Sequence, residues 1–385
     1  MRAPGHPALA AFGTTIFAEM SALALEHDAI NLGQGFPDTD GPAEVLDAAI
    51  SAIRGGRNQY PPGTGVSELL DAIAAHQQRF YGVVVDPGAE VLVTVGATEA
   101  IAATILALVS PGDEVVTFEP YYDSYAATIA LAGGVRRTSV LRFPEFAVDE
   151  ASLRAAFSAR TRLVLLNTPH NPTGKVFTRA EIELICTLAR EFDAWVVTDE
   201  VYEHLTFDEV EHVHVASLTG MWERTLTISS AGKTFSTTGW KVGWVVGPAP
   251  AVAAVRGVKQ FLTYVGSGPF QPAVAHGLAL PDAAYQDLAS SLQGKRDLLV
   301  AGLRDVGLPV AIPEGTYFVI ADAAALGGED ALSWCRELPS RIGVVGVPVS
   351  VFCDDKAAAA SLVRFAFCKR DEVLHAAVER LSRLR

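Results

Sequence analysis

Two of the seven lysines in the chain, Lys233 and Lys241, stand close together in one apolar stretch, residues 225–246 (TLTISSAGKTFSTTGWKVGWVV). An alternating apolar run ends in Ser229-Ser230, a small loop presents Lys233, and a second apolar run begins at Trp240 with Lys241 just inside it. No packing role demands a lysine at position 233. The arrangement offers one amine for covalent chemistry with a carbonyl compound and, farther along, a second cation for an anion.

Such an amine works with a carbonyl cofactor only in particular company: a carboxylate for a ring nitrogen, hydrogen-bond donors for a phenolic oxygen, and an anion site for a phosphate. Three strand ends supply candidates. The run 195–198 (WVVT) ends in Asp199, with Glu200, Val201 and Tyr202 behind it, so a carboxylate emerges where a parallel strand would meet a site. Placed there, it could keep a pyridine nitrogen protonated; a helix N-cap or an arginine partner is the bland use of the same residue. The run 163–166 (LVLL) leads into Asn167-Thr168-Pro169-His170-Asn171-Pro172-Thr173-Gly174, where two X-Pro steps favour extended backbone and orient Asn171 at the exit. A turn alone would explain the prolines and Gly174 but not the amide donor. The run 91–95 (VLVTV) passes through Gly96, Ala97 and Thr98 straight into a helix, which aims backbone N–H groups and the helix dipole at whatever lies above the strand. Ser230 and Lys241 could complete a phosphate cradle with it.

These ends converge only if the strands share one sheet. Strand-like runs at 91–95, 114–118, 163–166 and 195–198 alternate with helix-like segments at 98–109, 124–131 and 179–192, which predicts a largely parallel α/β sheet, buried on both faces, with ligands beyond the carboxyl ends of its strands. Ahead of it lie an amphipathic segment at 14–27, a turn-rich stretch at 33–42, a helix from Ala43 that stops at Gly55-Gly56, the loop 58–65 (NQYPPGTG) and a helix at 67–81. Long helices across 271–307 precede a smaller α/β unit with a helix at 332–337 and strands near 344–347 and 362–367. The expected division is 1–42 joining the small domain, 43–279 as the large domain and 280–385 as the C-terminal small domain.

The acidic balance, 44 acidic against 30 basic residues and a formal charge of −14, argues against nucleic acid or an anionic membrane as the main partner. Four cysteines without a CxxC pair read as reduced, buried thiols, and no segment reaches the length of apolar sequence a membrane span needs, so a cytoplasmic protein is expected. Ordinary phosphate motifs fail. Gly232-Lys233-Thr234 lacks the first glycine of a P-loop, having Thr227 there, and Gly33-x-Gly35 and Gly266-x-Gly268 have Asp38 and Gln271 where a dinucleotide fingerprint needs a third glycine. His212 and His214 alternate without a third ligand, so no metal is expected and a surface strand or loop is favoured. Glu203 reads as solvated or helix-supporting, Glu200 is undecided, and Trp240 reads as packing.

The chain resembles class I pyridoxal-phosphate-dependent aminotransferases of fold type I, nearly end to end, through residues 31–38 (NLGQGFPD), 58–61 (NQYP), 119–125 (EPYYDSY), 171–174 (NPTG), 198–202 (TDEVY), 229–240, 315–318 (GTYF) and 364–370. The resemblance implies a large domain with a mostly parallel sheet between helices and a smaller α/β domain built from both chain ends. It implies that Lys233 carries pyridoxal 5'-phosphate covalently and shuttles the proton at the substrate Cα. Asp199 would pair with the ring nitrogen, Asn171 and Tyr202 would hold the phenolic oxygen, and Tyr122 would stack on the ring. Gly96, Ala97, Thr98, Ser230 and Lys241 would take the phosphate. Arg364 would clamp the substrate α-carboxylate, with Gly35, Phe17 and Asn171 beside it, and Tyr60 would reach the cofactor of a neighbouring subunit in a homodimer.

Within the family the chain is most similar to the branch of kynurenine and glutamine aminotransferases and, inside it, to actinobacterial enzymes acting on N-succinyldiaminopimelate. Phe17 stands where the kynurenine enzymes place a tryptophan, and Val265 where they place a histidine from the partner chain. The expected reaction therefore exchanges an amino group between glutamate/2-oxoglutarate and N-succinyl-L,L-2,6-diaminopimelate, in lysine biosynthesis. The alternative is a broad glutamine, methionine or kynurenine aminotransferase, with β-elimination of cysteine conjugates as a side activity. A regulator that only senses the cofactor would need a basic DNA-binding domain, which this acidic chain does not suggest.

Overall fold

The structure, a computed structural model, describes residues 5–10, 12 and 15–385. Strands Thr161–Asn167, Trp195–Asp199 and Thr225–Ser230 lie side by side and parallel at the middle of a seven-stranded sheet. Across the sheet the order is Val91–Val95, Val242–Val246, Thr225–Ser230, Trp195–Asp199, Thr161–Asn167, Glu114–Glu119 and Val135–Val140. Only Val242–Val246 runs against its neighbours.

Successive side chains on a strand point to opposite faces, so a strand covered on both sides must be apolar at consecutive positions. Val164, Leu166 and Val196 pack on one face with Phe177, Ile182 and Ile185 of the segment that returns to the sheet. Leu163, Leu165 and Val197 pack on the other with Ile101, Ile105 and Val252. This two-sided burial is what made the strands readable. Val135–Val140 was not expected as a strand: it is an edge strand whose Arg136 and Arg137 interrupt any apolar run, and Arg137 reaches across to Glu114 at 2.8 Å.

A second sheet, in the order Val347–Pro348, Leu362–Ala366, Phe318–Asp322, Val310–Ala311, is antiparallel throughout. Near it Ile30–Asn31 pairs in parallel with Val344–Val345. Met20 and Leu32 from the start of the chain share one core with Leu299, Val345, Phe365 and Leu374. The early amphipathic segment is the helix Ile16–Glu26; Thr14, where it was expected to begin, lies outside the described residues. The helix expected at 332–337 extends over Ala331–Ile342, capped by Asp330 and ended by Gly343 at φ +75°. No described helix is long and apolar enough to cross a membrane, and all four cysteines are free and buried.

Candidate active site

Asp199 is the last residue of its strand, paired in register with Asn167 on one side and Ile228 on the other. The three strand exits and the turn after Val95 surround one cavity of about 360 Å³. Asp199, Asn171, Tyr202 and Tyr122 line it, as do Gly96, Ala97, Thr98, Ser230, Lys233 and Lys241. Phe17, Gly35 and Arg364 close the side nearer the second sheet. The parallel register does this, because it brings the carboxyl ends of neighbouring strands to one edge.

Gly96 opens the helix Gly96–Leu108, which has no side-chain cap at its N-terminus. Its φ is +71°, and a Cβ there would meet Cε and Nζ of Lys241 at 3.2 and 3.3 Å. Lys241 is not inside the strand: it precedes Val242–Val246, after the turn Thr238–Trp240, and has φ +55°. Uncapped helical N–H groups, an ammonium pressed against the glycine and the Ser230 hydroxyl thus form a cradle suited to a phosphate. Trp240, expected at a strand start, lies in that turn and stacks on Phe270 at 4.7 Å.

Lys233 lies in a short helix, Ala231–Thr234, rather than in a loop. Its Nζ is 2.9 Å from the Tyr317 hydroxyl and 3.4 Å from the Gly35 carbonyl. Burial lowers its pKa to about 8, against the opposing pull of Cys368 and Asp199. Arg364 is buried; its Nη1 donates to Asn171 Oδ1 and its Nη2 to the Gly33 carbonyl, both at 2.9 Å, and its Nε has no partner among the described residues. The guanidinium lies 4.1 Å over the Phe318 ring. Because the Asn171 oxygen is taken by Arg364, its amide nitrogen is left as the donor.

Asp199 Oδ2 accepts the hydroxyl of Tyr125 at 2.5 Å. The tyrosine was missed in the sequence, although it sits one helical turn beyond Tyr122 and so faces the same cavity. Burial, offset only in part by Tyr125, Val201 and Lys233, raises the Asp199 pKa to about 6. An unfolded aspartate titrates at about 4, so the folded chain holds this proton more tightly and Asp199 lowers stability as pH rises from about 4 through 6. Asp199→Asn removes that penalty, at most about 3 kcal/mol. It should raise the Tm of the cofactor-free protein at pH 8 and leave it nearly unchanged at pH 4; no gain at pH 8 would contradict a buried, raised carboxylate.

The residues set aside as surface features form a second buried group. His212 Nε2 and His214 Nδ1 both lie against Glu200 Oε2, at 2.7 and 2.8 Å, so the histidines are not on a surface strand or loop. Glu203 is buried too, not solvated, and accepts the hydroxyls of Tyr81 and Ser229. A third metal-type ligand therefore does accompany the two histidines. The spacings, however, are hydrogen-bond lengths, shorter than the roughly 3.3 Å between nitrogen and oxygen ligands around a tetrahedral zinc. Tyr60 does not line the cavity; it stands 82% exposed with its ring 5.8 Å from that of Tyr264, while nearby Phe261 is 84% exposed.

A mostly parallel sheet, a second sheet beside it and a pocket built around one lysine define this chain as a fold type I protein of the pyridoxal-phosphate group. The class I and II aminotransferase profile matches residues 27–381, and the chain belongs to that family. It is 52% identical over 382 residues to a probable N-succinyldiaminopimelate aminotransferase of Mycobacterium tuberculosis, covering 96% of each chain. A methionine aminotransferase of Escherichia coli is 44% identical over 372 residues, covering 97% of this chain and 96% of its own. The solved structure of N-succinyldiaminopimelate aminotransferase from Mycobacterium tuberculosis superposes with a TM-score of 0.97 at 51% identity, covering 99% of this chain and all of the other.

Proposed function

We propose that this aminotransferase is a pyridoxal-phosphate-dependent homodimer exchanging an amino group between glutamate/2-oxoglutarate and N-succinyl-L,L-2,6-diaminopimelate. The observation that carries the substrate is the 52% identity, over nearly the whole of both chains, to the probable N-succinyldiaminopimelate aminotransferase. The cavity fits the cofactor: the glycine cradle beside Lys241, the raised carboxylate of Asp199 and the partly neutral amine of Lys233 meet its three polar features. Bound there, pyridoxal phosphate supplies an electrophilic carbon and a ring that withdraws electrons from the substrate Cα.

The chain's own residues do the rest. Lys233 holds the cofactor and moves the proton at Cα. Asp199 keeps a proton on the ring nitrogen, and Tyr125 fixes its orientation. The Asn171 amide and the Tyr202 hydroxyl would donate to the phenolic oxygen, and Tyr122 would cover the ring. The helix start at Gly96, Ala97 and Thr98 binds phosphate together with Ser230 and Lys241. Arg364 offers a paired N–H fork to the substrate α-carboxylate, with Phe17 and Gly35 beside it. The exposed Tyr60, Tyr264 and Phe261 would be covered by the second subunit, which Tyr60 would serve at its phosphate. In the same proposal residues 43–279 form the large domain, and 1–42 with 280–385 the small one.

One observation favours a second reading. Phe17, Phe36 and Phe318 make much of the cavity's outer wall aromatic, which suits an apolar side chain such as that of methionine. Steady-state kcat/KM over a donor panel separates the two. N-succinyl-L,L-2,6-diaminopimelate is expected to exceed methionine, glutamine and kynurenine by about tenfold or more. Equal or better use of methionine or kynurenine would overturn the substrate and leave the reaction type standing.

A further inference from the structure

We infer that Tyr317 is a positioning residue whose hydroxyl aims the lone pair of the Lys233 amine into the cavity. The inference rests on the reading that Lys233 is the amine that takes the cofactor.

The direction of each hydrogen bond is forced by chemistry. Tyr317 Oη is 2.6 Å from the Gly35 carbonyl oxygen, and a carbonyl can only accept, so the single phenolic proton points at Gly35. At 2.9 Å from Lys233 Nζ the tyrosine oxygen therefore has only a lone pair to offer, and the amine donates. The Gly35 carbonyl, 3.4 Å from Nζ, lies on the same side and also only accepts. A neutral amine has two N–H bonds and one lone pair. With its N–H bonds turned to this wall, the lone pair is left facing the cavity, where a carbonyl carbon or a Cα proton would stand.

The hydroxyl is itself held in place. Thr316 has φ +67°, its N–H donates to the Leu205 carbonyl, and its hydroxyl oxygen accepts the Phe318 N–H, which fixes the backbone on both sides of Tyr317. The Tyr317 ring is buried edge-on against Tyr202 at 5.3 Å and Phe318 at 4.8 Å. Gly35 must be a glycine for its carbonyl to come this close: a Cβ there would lie 2.4 Å from Phe318 Cζ. Nothing in this arrangement serves packing alone, because phenylalanine would fill the same space.

Two effects follow from removing the hydroxyl. The amine loses its orientation, and its ammonium form loses an acceptor, so the amine titrates at lower pH. The other groups facing it are Asp199, Lys241, Arg364, Cys368 and the Tyr202 ring, and the Tyr202 hydroxyl, which interacts with that of Tyr317, loses this neighbour in the same change.

The test is capture of pyridoxal phosphate by full-length, cofactor-free protein, followed by absorbance, then trapped with borohydride and mapped by peptide. Capture joins Nζ to the aldehyde carbon and releases the carbonyl oxygen as water with both amine protons. At pH 9 Tyr317→Phe should capture about tenfold more slowly than wild type, an orientation effect, and the midpoint of its pH–rate curve should move to lower pH. 4-Aminophenylalanine introduced at position 317 keeps the donation to Gly35 and the packing but is a poor acceptor. It should share the defect, and decides the question should Y317F fold badly. Rates within about twofold of wild type at pH 9 with an unmoved midpoint would overturn the role of Tyr317. Wild-type protein that traps no cofactor on Lys233 would overturn the underlying reading instead.

Discussion

Lys233→Ala should lower turnover by about 10⁴-fold or more, since in the proposed mechanism this one side chain would both hold the cofactor and move the proton at Cα. Among the described residues no other amine in the cavity can take its place. Lys241 is pressed against Gly96 at the opposite end, where an anion is expected, and Arg364 is committed to Asn171 and Gly33. Lys233 is also the amine made ready for attack. With its pKa lowered to about 8 by burial, roughly a tenth of it is neutral at pH 7, whereas an ordinary lysine is neutral at only about one part in 2,500. Activity limited by the free amine should therefore fall as pH drops below about 8. The variant should stay folded, because it no longer buries an amine, and should lose the imine absorbance while still binding the cofactor's phosphate. Multiple-turnover transamination at a normal rate in Lys233→Ala would remove the mechanism altogether.

The second large effect is expected at Arg364. Its charge is buried, held against Phe318 with two N–H groups fixed to Asn171 and Gly33 and with Nε unpartnered among the described residues. Burial lowers its pKa to about 10, so it remains charged at neutral pH. A buried guanidinium with an unused donor suits a carboxylate, which can take two parallel N–H bonds and neutralise the charge. Arg364→Leu should reduce kcat/KM for amino-acid donors by roughly 10²- to 10³-fold, the loss typical when one partner of a desolvated charge pair is truncated. Arg364→Lys should fall between the two, since an ammonium is a point charge and cannot form the fork. An amine donor lacking the α-carboxylate should be used about equally by wild type and Arg364→Leu. A loss of the same size for that amine would assign Arg364 to holding the pocket's shape instead.

Asp199, Asn171, the turn at Gly96 and Lys233 were legible as a site because each follows an apolar run, and parallel strands carry their carboxyl ends to one edge. Burial of the cysteines followed in the same way from composition and spacing. The edge strand Val135–Val140 was hidden by its two arginines, which an edge tolerates and a central strand would not. The misplacement of His212, His214 and Glu203 has another cause. They follow the strand end in an irregular segment, where no period distinguishes a buried polar residue from a solvated one, and their partners include Tyr81 from more than a hundred residues earlier.

By itself, then, the sequence determined that Asp199, Asn171, the turn at Gly96 and Lys233 stand at one edge of the sheet, because a strand end is set by local pattern and its direction by the sheet that pattern builds. Tertiary structure alone decided what those side chains are bonded to: Tyr125 on Asp199, Asn171 on Arg364, Tyr317 and Gly35 on Lys233. Gly35 and Tyr317 stand 282 residues apart in the chain. Hydrogen-bond partnership depends on distances of a few tenths of an ångström between segments that no local period connects, and burial then sets the pKa of each group they enclose.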